Sequence, residues 1–521
     1  MKKLPIGIQT FSEIREENYV YIDKTKYIHK LTTEGKIYFL SRPRRFGKSL
    51  LVSTLKELFE GNKKLFKDLY IYDNWNWDKN FPVIHLDFSG RSYDTPEILN
   101  ESLNLFLNRT AKLNGITLEK TDLITDKFSE LIEEIYLKNK KKIVVLIDEY
   151  DKPIIENLQN KDLESIEKKL GSFYEVLKTN DQYIKFAFIT GISQFAHVSV
   201  FSKLNSLKDI TLNNEFNSIC GYTQEELENN FQEYISRLAD EFNCTYDECL
   251  KYIKLYYNGY SWNGKEKVYN PFSTLLCFDE RKFSKNWFNT GTPTVLAEYP
   301  ISKYDIESIA EPTKLSETDI KNSTTKNIKD EVFLFQTGYL TIYDIERNGL
   351  DSFYTLKMPN LEVESALFEN LINQYSNIPL YDVKNYAKKL LKYLIVGDEK
   401  KIEETIGDYL SPIPSVLRGQ DEKYYHSLIF RLLLSSRVHV HCEVRTRKGD
   451  ADLIIEEEDY VIIIEFKQSN TNSTDYMIKK GFEQIEEKEY SKQYKNKKII
   501  KGVIAFRNTE INCKIISSEN V

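Results

Sequence analysis

Cysteine is scarce in this chain of 521 residues, and its six cysteines form no C-x-x-C pair. This scatter argues against a zinc ribbon and against a disulfide framework, so a reducing cytoplasm is the expected compartment. No apolar run approaches the roughly 20 residues needed to span a bilayer. The apolar residues after Met1-Lys2-Lys3 are too few for a signal sequence. We therefore expect no membrane partner.

Positive charge is also in short supply, because the formal net charge is −7. This balance argues against a generally basic nucleic-acid coat protein, although it leaves room for a local basic groove. Charged residues make up 29% of the chain and hydrophobic residues 41%, as in ordinary globular proteins. A single core does not suffice at this length, so we expect about three domains.

A strand, a tight loop and a helix are predicted over residues 37–59, IYFLSRPRRFGKSLLVSTLKELF. The ending Gly47-Lys48-Ser49 is typical of a phosphate-binding loop. In such a loop, backbone N–H groups surround phosphate oxygens, the lysine reaches the outer phosphates and the serine ligates Mg²⁺. Arg42 occupies the place of the first glycine in the usual pattern, so the bare pattern is not matched.

An acidic pair supplies the expected partner of this loop. Residues 143–147 are a β-branched run of the kind buried on both faces of a parallel sheet, and Asp148 and Glu149 follow it. Asp148 can hold the Mg²⁺ shell, and Glu149 can polarise the water that attacks the γ-phosphate. Such pairs often lie in a solvated turn, but the spacing from Gly-Lys-Ser favours a Walker B strand. The predicted nucleotide-binding residues are Arg44, Arg45, Phe46, Gly47, Lys48, Ser49, Leu50 and Asp148, with Ser49 and Asp148 as metal ligands.

A further strand at 184–189 is predicted to lie between the phosphate-loop strand and the Walker B strand. That order is typical of ATPases that use a catalytic glutamate. Thr190 or Ser193, just after this strand, would then be a polar sensor of the γ-phosphate. The alternative is that a Thr-Gly turn after a strand has no functional role.

The middle of the chain reads as helical. Residues 223–289 are rich in tyrosine and predict a helical lid over the nucleotide. Residues 303–360 read as helices followed by a hairpin across Asn348-Gly349, a winged-helix pattern. No basic recognition helix is evident there, so packing is favoured over DNA binding. A helical connector up to about residue 410 then leads into the last segment.

Charged residues also converge near the end of the chain. Residues 452–455 and 461–467 are predicted strands joined by an acidic turn, which makes them an antiparallel hairpin. This pairing brings Asp452 beside Glu465, on the same face as Lys467. Burying two acids beside a lysine is costly unless a cation neutralises them, so a divalent metal site is the simplest explanation.

In such a site Asp452 and Glu465 hold Mg²⁺, and Lys467 orients or helps to deprotonate a water that attacks a phosphodiester. Glu422, which opens the preceding predicted helix, can complete the shell. The alternative is a set of charges at sheet edges, because E-x-K alone is a weak pattern. Residues 421–521 carry seventeen Lys plus Arg and seventeen Asp plus Glu, so the strong positive field of a tight nucleic-acid binder is missing.

Taken together, these motifs resemble a bacterial family that joins an AAA-ATPase-like domain to a C-terminal PD-(D/E)XK nuclease-superfamily domain. The resemblance covers nearly the whole chain. It is carried by the N-terminal Pro5-Ile6-Gly7, by residues 39–50 and by residues 146–151. Members of the family share the arginine found here at position 42, so this departure does not count against nucleotide binding.

The resemblance extends to the C-terminal residues. Asp452, Glu465 and Lys467 match the nuclease motif, and Gln484 matches a glutamine of the helix that follows it. Asp450 occupies a position where the family tends to have arginine, which removes one phosphate contact. The resemblance therefore implies metal binding at this site more directly than it implies tight binding of the substrate's phosphates.

Fold and domain expectations follow from the motifs and the resemblance. We predict an α/β protein: a P-loop NTPase with a parallel sheet, a helical lid and a winged-helix-like region, followed by an α/β restriction-endonuclease-like domain. The expected domains are the AAA-ATPase-like domain at 1–222, the lid at 223–302, the winged-helix-like region and connector at 303–410, and the nuclease-like domain at 411–521.

The functional expectation is an ATP-binding and ATP-hydrolysing switch coupled to Mg²⁺-dependent cleavage of nucleic acid. DNA is expected ahead of RNA as the partner, and assembly with further copies of the chain is left open. The expected catalytic residues are Glu149, Glu422, Asp452, Glu465 and Lys467, and the expected cofactors are ATP and Mg²⁺. The alternative is a signalling or scaffold ATPase whose nuclease-like domain only binds a partner.

Overall fold

The computed structural model describes most of the chain, and it divides the chain into two compact units. The first comprises Met1–Tyr304 and Pro312–Val363, and the second comprises Asp305–Glu311 and Glu364–Val521. The described residues are 1–118, 123–194, 200–202, 204–289, 312–349, 351–364, 366–367, 380–411, 425, 429, 432–433, 439–446, 449–457, 459–488, 490–494, 497–507 and 510–518. The predicted four-part division within these units stays a prediction.

A parallel sheet forms the centre of the first unit. Its strands are β1 (Ile37–Ser41), β2 (Val83–Asp87), β3 (Ile143–Asp148), β4 (Ile184–Gly191) and β5 (Lys208–Asp209). They lie in the order β2-β3-β4-β1-β5 and all pair in parallel. Because β4 lies between β1 and β3, the predicted strand order is confirmed. The phosphate loop and the acidic pair therefore meet at one edge of the sheet.

Helices pack around this sheet. They are α1 (Phe11–Glu16), α2 (Thr25–Glu34), α3 (Lys48–Glu60), α4 (Pro96–Leu113), α5 (Ile124–Asn139), α6 (Lys152–Ile155) and α7 (Leu163–Thr179). Helix α3 contacts β2, β3 and β4, and α5 contacts β3. Strands β1 and β3 are buried along their whole length, which explains their unbroken apolar sequences.

Four helices follow the sheet where a lid was predicted. They are α8 (Gln224–Glu241), α9 (Tyr246–Tyr257), α10 (Pro271–Glu280) and α11 (Asn286–Asn289). Helix α8 begins with a capping box between Thr223 and Glu226, which satisfies N–H groups of its first turn. Val20 and Ile22 of the N-terminal segment share one apolar core with α8, α9 and α10. These helices are therefore packed on the ATPase-like fold.

A small antiparallel sheet completes the first unit. Its strands are β6 (Thr313–Ser316), β7 (Thr341–Asn348) and β8 (Asp351–Lys357), in the order β6-β8-β7. Between β6 and β7 the chain forms the helices α12 (Glu317–Lys321) and α13 (Asp330–Thr337). Two helices followed by a hairpin are the predicted winged-helix-like arrangement, which is confirmed. Gly349 in the hairpin turn has a φ of 63°, a value that favours glycine.

The second unit is built on a mixed sheet of five strands. Its elements are α14 (Leu380–Val396), α15 (Glu399–Leu410), β9 (His439–Thr446), β10 (Gly449–Glu456), β11 (Tyr460–Gln468), α16 (Thr474–Lys488), β12 (Lys498–Arg507) and β13 (Glu510–Ser518). The strand order is β13-β12-β11-β10-β9, and only the β11–β12 pair is parallel within it. Helix α16 makes the crossover between these two strands and packs on one face of the sheet.

Strand β13 lies at the edge of this sheet, where helix α15 covers it. The backbone N–H groups of Cys513 and Ile515 donate to the carboxylates of Glu403 and Glu399, at 2.9 Å and 3.1 Å. Two glutamates four residues apart therefore satisfy alternate N–H groups of an edge strand. None of the helices in the described residues is long and apolar enough to cross a membrane.

Candidate nucleotide and metal sites

The phosphate loop joins β1 to α3 through two residues with left-handed backbone. Arg45 has a φ of 68° and Gly47 a φ of 91°. Gly47 is also the N-cap of α3, so the first N–H groups of that helix are free to face an anion. Only glycine adopts such a φ without strain, which explains the glycine at this position.

Lys48 begins α3 and is nearly buried. Its Nζ donates to the backbone oxygens of Arg42 and Pro43, both at 2.9 Å. Burial lowers the pKa of its ammonium group, while the nearby charges of Asp148 and Glu149 act in the opposite direction. The lysine is thus held across the loop, where phosphate oxygens can replace the two carbonyl oxygens.

The Arg42 side chain is fully buried within the protein. Its guanidinium donates to the backbone oxygens of Thr211 at 3.0 Å and Phe216 at 2.9 Å. It also lies 3.9 Å from the centre of the Trp262 ring, and burial lowers its pKa to about 10. Arg42 therefore anchors the loop to the segment that leads into α8, which explains why it replaces a glycine here.

A second set of contacts holds the loop from the other side. The indole N–H of Trp287 donates to the backbone oxygen of Arg44 at 3.1 Å. The carboxylate of Glu362 accepts from the backbone N–H of Trp287 at 2.8 Å and from the hydroxyl of Ser273 at 2.9 Å. Glu362 is fully buried, and this burial raises its pKa to about 7. Gly338 of the winged-helix-like region packs so closely that an added Cβ would lie 2.7 Å from the Pro43 side chain.

The acidic pair lies at the end of β3, beside the loop. The carboxylate of Asp148 accepts from the backbone N–H of Glu149 at 2.9 Å, and the hydroxyl of Ser49 lies near it. Burial raises the pKa of Asp148 to about 6. Glu149 has a φ of 52°, a conformation that costs free energy for a non-glycine residue. The structure thus brings the two predicted Mg²⁺ ligands of this site together and places Glu149 beside them.

A cavity of about 410 Å³ lies over these residues. Seven predicted residues line it: Arg44, Arg45, Gly47, Lys48, Ser49, Leu50 and Glu149. Phe46 does not line this cavity, because its ring is buried against Tyr260 and Trp262. The Phe46 side chain therefore packs beneath the loop, and its predicted place in nucleotide binding stays a prediction.

The apolar part of this cavity is formed by residues outside the phosphate-loop and Walker B motifs. Ile8, Tyr222, Pro271, Phe272 and Leu275 line it from the N-terminal segment and from the helices after the sheet. Apolar side chains of this kind suit the flat faces of a nucleotide base. Asn270 caps the N-terminus of α10 and Pro271 is its first residue, a helix-start signal that was readable but gave no role.

The hydroxyls of Thr190 and Ser193, predicted as alternatives for a γ-phosphate sensor after β4, both make hydrogen bonds within the protein, and the sensor role stays a prediction. The Thr190 hydroxyl donates to the backbone oxygen of Leu40 at 2.8 Å, and Thr190 is fully buried. The Ser193 hydroxyl donates to the carboxylate of Asp151 at 2.6 Å, which also accepts from the Ile192 N–H at 3.0 Å. Both hydroxyls are therefore used to hold strands and turns together.

The predicted hairpin of the second unit is confirmed. Strands β10 and β11 pair with Leu453 opposite Ile464, so the next pair along is Asp452 and Glu465. The Phe466 N–H donates to the Asp452 carboxylate at 2.8 Å. Asp452 and Glu465 lie on the face of the sheet that α16 covers, since side chains alternate along each strand and Ile454 and Ile463 pack on that face.

Charge is concentrated at this pair. Glu465 is fully buried, and the Lys467 ammonium lies 3.4 Å from its Oε2. Burial raises the pKa of Glu465, and the charge of Asp452 adds to this effect while Lys467 opposes it. The Oε1 atom of Glu465 has no hydrogen-bond partner among the described residues. A buried carboxylate oxygen without a partner, beside a second carboxylate, fits a divalent cation.

The number of protein ligands also suits Mg²⁺. Within the part of the chain that the structure describes, no group of three or more His, Cys, Asp or Glu side chains is placed to hold a metal. Asp452 and Glu465 supply two carboxylates, and Mg²⁺ is usually bound through one or two carboxylates while it keeps several waters. Glu422 lies outside the described residues, so its predicted place in the shell stays a prediction.

Helix α16 and the turn after it support the carboxylates. The hydroxyl of Tyr490 lies near the side chains of Gln484 and Glu465. Tyr490 is fully buried, and this burial raises its pKa. Gln484, which was singled out by its position in the sequence, therefore reaches the site through a tyrosine that sequence reasoning gave no role.

Comparisons with known proteins cover both units. Residues 5–201 match a family model described as a predicted AAA-ATPase, and residues 420–515 match one described as the PD-(D/E)XK nuclease superfamily. An "uncharacterized protein in vnfD 5' region" of Azotobacter chroococcum mcd 1 is 34% identical over 502 residues, which are 95% of this chain and 94% of that protein. A crystal structure of Cdc6p from Pyrobaculum aerophilum matches 68% of this chain and 94% of its own, at 12% identity. Its TM-score of 0.23 is too low to support any conclusion.

Proposed function

Because this chain belongs to the family that joins a predicted AAA-ATPase domain to a C-terminal PD-(D/E)XK nuclease-superfamily domain, we propose that it couples ATP hydrolysis to nucleic-acid cleavage. The observation that carries the proposal is the buried Glu465 with Asp452 and Lys467 beside it, on the same chain as a phosphate loop. An acidic site in which Oε1 of Glu465 has no hydrogen-bond partner among the described residues, together with a phosphate-binding site, suits a nuclease that is controlled by a nucleotide.

At the first site the chain's own residues divide the work on ATP. The N–H groups at the start of α3 and the ammonium of Lys48 bind the phosphates. Ser49 and Asp148 hold Mg²⁺, and Glu149 takes the proton of the water that attacks the γ-phosphate. When bound, Mg²⁺ supplies positive charge to the phosphate under attack, at this site and at the second one.

At the second site Asp452 and Glu465 are the metal-holding carboxylates. Lys467 orients the attacking water, because its ammonium already lies beside Glu465. Tyr490, whose hydroxyl lies near Glu465, helps to position that carboxylate, and Oε1 of Glu465 is available to the metal. DNA is proposed ahead of RNA as the substrate, and the oligomeric state is left to experiment.

The decisive experiment is cleavage of single- and double-stranded DNA and RNA by the full chain, with Mg²⁺ and with or without ATP. We expect cleavage by the wild type, its loss in Asp452→Ala, and loss of its ATP dependence in Lys48→Ala. Asp475→Ala is a matched control, because this acid lies at the start of α16 and not at the site.

Two outcomes would decide against parts of the proposal. Wild-type protein that hydrolyses ATP but cleaves none of the four substrates would favour the alternative, an ATPase whose nuclease-like domain only binds a partner. Lys48→Ala protein that still binds ATP with wild-type affinity would overturn the assignment of the nucleotide site.

A further inference from the structure

Lys152 is a cationic side chain in the nucleotide cavity that none of the motifs assigns. Four cationic side chains of the described residues line this cavity: Arg44, Arg45, Lys48 and Lys152. Lys48 donates to two backbone oxygens, and the Arg45 guanidinium lies 4.6 Å from the centre of the Phe272 ring. The Lys152 ammonium has a looser arrangement, because it lies 3.6 Å from Oε1 of Glu156. That distance exceeds a normal hydrogen bond.

The backbone brings Lys152 to the same place as the acidic pair. The Lys152 N–H donates to the backbone oxygen of Glu149 at 3.1 Å, in the turn where Glu149 has a left-handed φ. Glu149, Lys152 and Glu156 all line the cavity. Glu149, which is proposed to activate water, and the ammonium group of Lys152 therefore belong to one turn and line the same cavity.

Glu156 is a partner that a phosphate can replace. Burial raises the pKa of Glu156, while Lys152 acts in the opposite direction. Both side chains of this ion pair are partly exposed, at 23% for Lys152 and 32% for Glu156, so water and ligands reach them. A γ-phosphate carries more negative charge than a carboxylate and offers three acceptor oxygens, so it competes well for the ammonium.

The role of a γ-phosphate sensor is open to another residue. The hydroxyls of Thr190 and Ser193, which follow β4, donate to Leu40 and Asp151, and neither residue lines the nucleotide cavity. We propose that Lys152 fills this role: its ammonium leaves Glu156 and binds the γ-phosphate of ATP, so that the site distinguishes ATP from ADP. This inference rests on the proposed ATP function and names the residue that recognises the third phosphate.

The test is a comparison of ATP and ADP affinities, measured by calorimetry with a slowly hydrolysed ATP analogue. In Lys152→Met we expect the affinity for the ATP analogue to fall by about tenfold or more, as for loss of a charge-assisted hydrogen bond. The affinity for ADP should stay within about twofold of the wild type. Lys152→Arg should restore part of the preference for ATP, because it keeps the positive charge.

Glu156→Gln tests the exchange of partners. Removing the competing carboxylate charge should raise the affinity for the ATP analogue by about two- to fivefold and leave ADP binding unchanged. Lys321→Met is the matched control, because Lys321 pairs with Glu317 four residues away on a helix that does not line the cavity. It should behave as the wild type does.

The outcomes separate this inference from the proposed function. Equal losses of ATP and ADP affinity in Lys152→Met would mean that Lys152 only shapes the cavity, and unchanged affinities would mean that it has no role. Either result overturns the inference while ATP binding stands. A wild-type protein that binds neither nucleotide overturns the proposed ATPase, and the inference with it.

Discussion

Arg42 shows how one residue can break a sequence pattern and still serve it. A glycine in that place gives the chain room, whereas Arg42 has an ordinary backbone and uses its guanidinium to bind the oxygens of Thr211 and Phe216. The loop is therefore anchored by a buried cation. Sequence alone identified the mismatch but gave no reason for it, because both partners lie about 170 residues further along the chain.

Arg42→Ala is expected to destabilise the first unit by about 2–5 kcal/mol, because it leaves buried carbonyl oxygens without donors. Urea unfolding followed by circular dichroism measures this change. Arg281→Ala is a matched control, since that arginine forms an exposed and long ion pair and should change stability by less than about 0.5 kcal/mol. If Arg42→Gly, which restores the usual loop pattern, were as stable as the wild type, the anchoring role would be wrong.

Asp148 should make the affinity for Mg²⁺-ATP depend on pH. Its pKa of about 6 lies above the ordinary value because of burial, so the carboxylate gains a proton as the pH falls through that range. Mg²⁺ requires the charged form. We expect the affinity for Mg²⁺-ATP to weaken as the pH falls below about 6, approaching tenfold per pH unit.

Calorimetry at several pH values measures this effect, and Asp148→Asn is the control because its amide does not titrate. The nucleotide phosphates titrate in both proteins, so the difference between the two profiles reports Asp148. Parallel profiles for wild type and variant would show that Asp148 does not hold the metal.

At the scale of elements, helix α15 takes the place that a sixth strand would occupy beside β13. Glu399 and Glu403 satisfy N–H groups of the strand, so the edge is closed to other strands. The strand order of the first unit was predictable, because two motifs at known spacing define it. The covering of β13 was not, because nothing local in the sequence of α15 says which strand its glutamates meet.

Glu403→Ala should destabilise the second unit by about 1–3 kcal/mol, because the Cys513 N–H loses its acceptor. Hydrogen exchange followed by mass spectrometry should show faster exchange over β13 than elsewhere in the sheet. Glu404→Ala is a matched control from the same helix, with an exposed side chain. Equal exchange of β13 in the two variants would contradict the role of Glu403.

For the molecule as a whole, the main residues of both candidate sites could be predicted from the sequence, but some of the residues around them could not. Gly47, Asp148 and the pair Asp452 and Glu465 were found because their local patterns imply their neighbours. The roles of Lys152 and Tyr490 were not found, because each depends on a neighbour reached only after folding, namely the nucleotide cavity and Glu465. Local sequence patterns thus identify the groups that act on the substrate. The groups that position those residues or distinguish between ligands can be identified only from the folded structure.

Glu362 is where the stability of the first unit should respond to pH. Its pKa of about 7 is above the ordinary 4.5, so the folded protein keeps a proton that the unfolded chain releases between these values. Stability from this group therefore falls as the pH rises from about 4.5 to about 7 and is constant above that. Glu362→Gln keeps the shape and removes the titration.

Relative to the wild type, Glu362→Gln should gain up to about 3 kcal/mol as the pH rises from about 5 to about 8. Urea unfolding at the two pH values measures the difference. Asp330→Asn, on the first turn of α13, is a comparison outside this contact. A difference between wild type and Glu362→Gln that did not change with pH would show that Glu362 is not the group that titrates.

The contacts of the phosphate loop with two indoles have an optical consequence. The chain has four tryptophans. Trp262 lies against Arg42 and Trp287 donates to Arg44, whereas Trp77 packs against Phe66, a residue that does not line the cavity. Ultraviolet emission from the two loop-facing indoles should shift in wavelength when phosphates enter, and Trp287→Phe should remove much of that shift. The protein therefore carries its own spectroscopic reporter, and nucleotide occupancy can be followed in an unlabelled sample in real time.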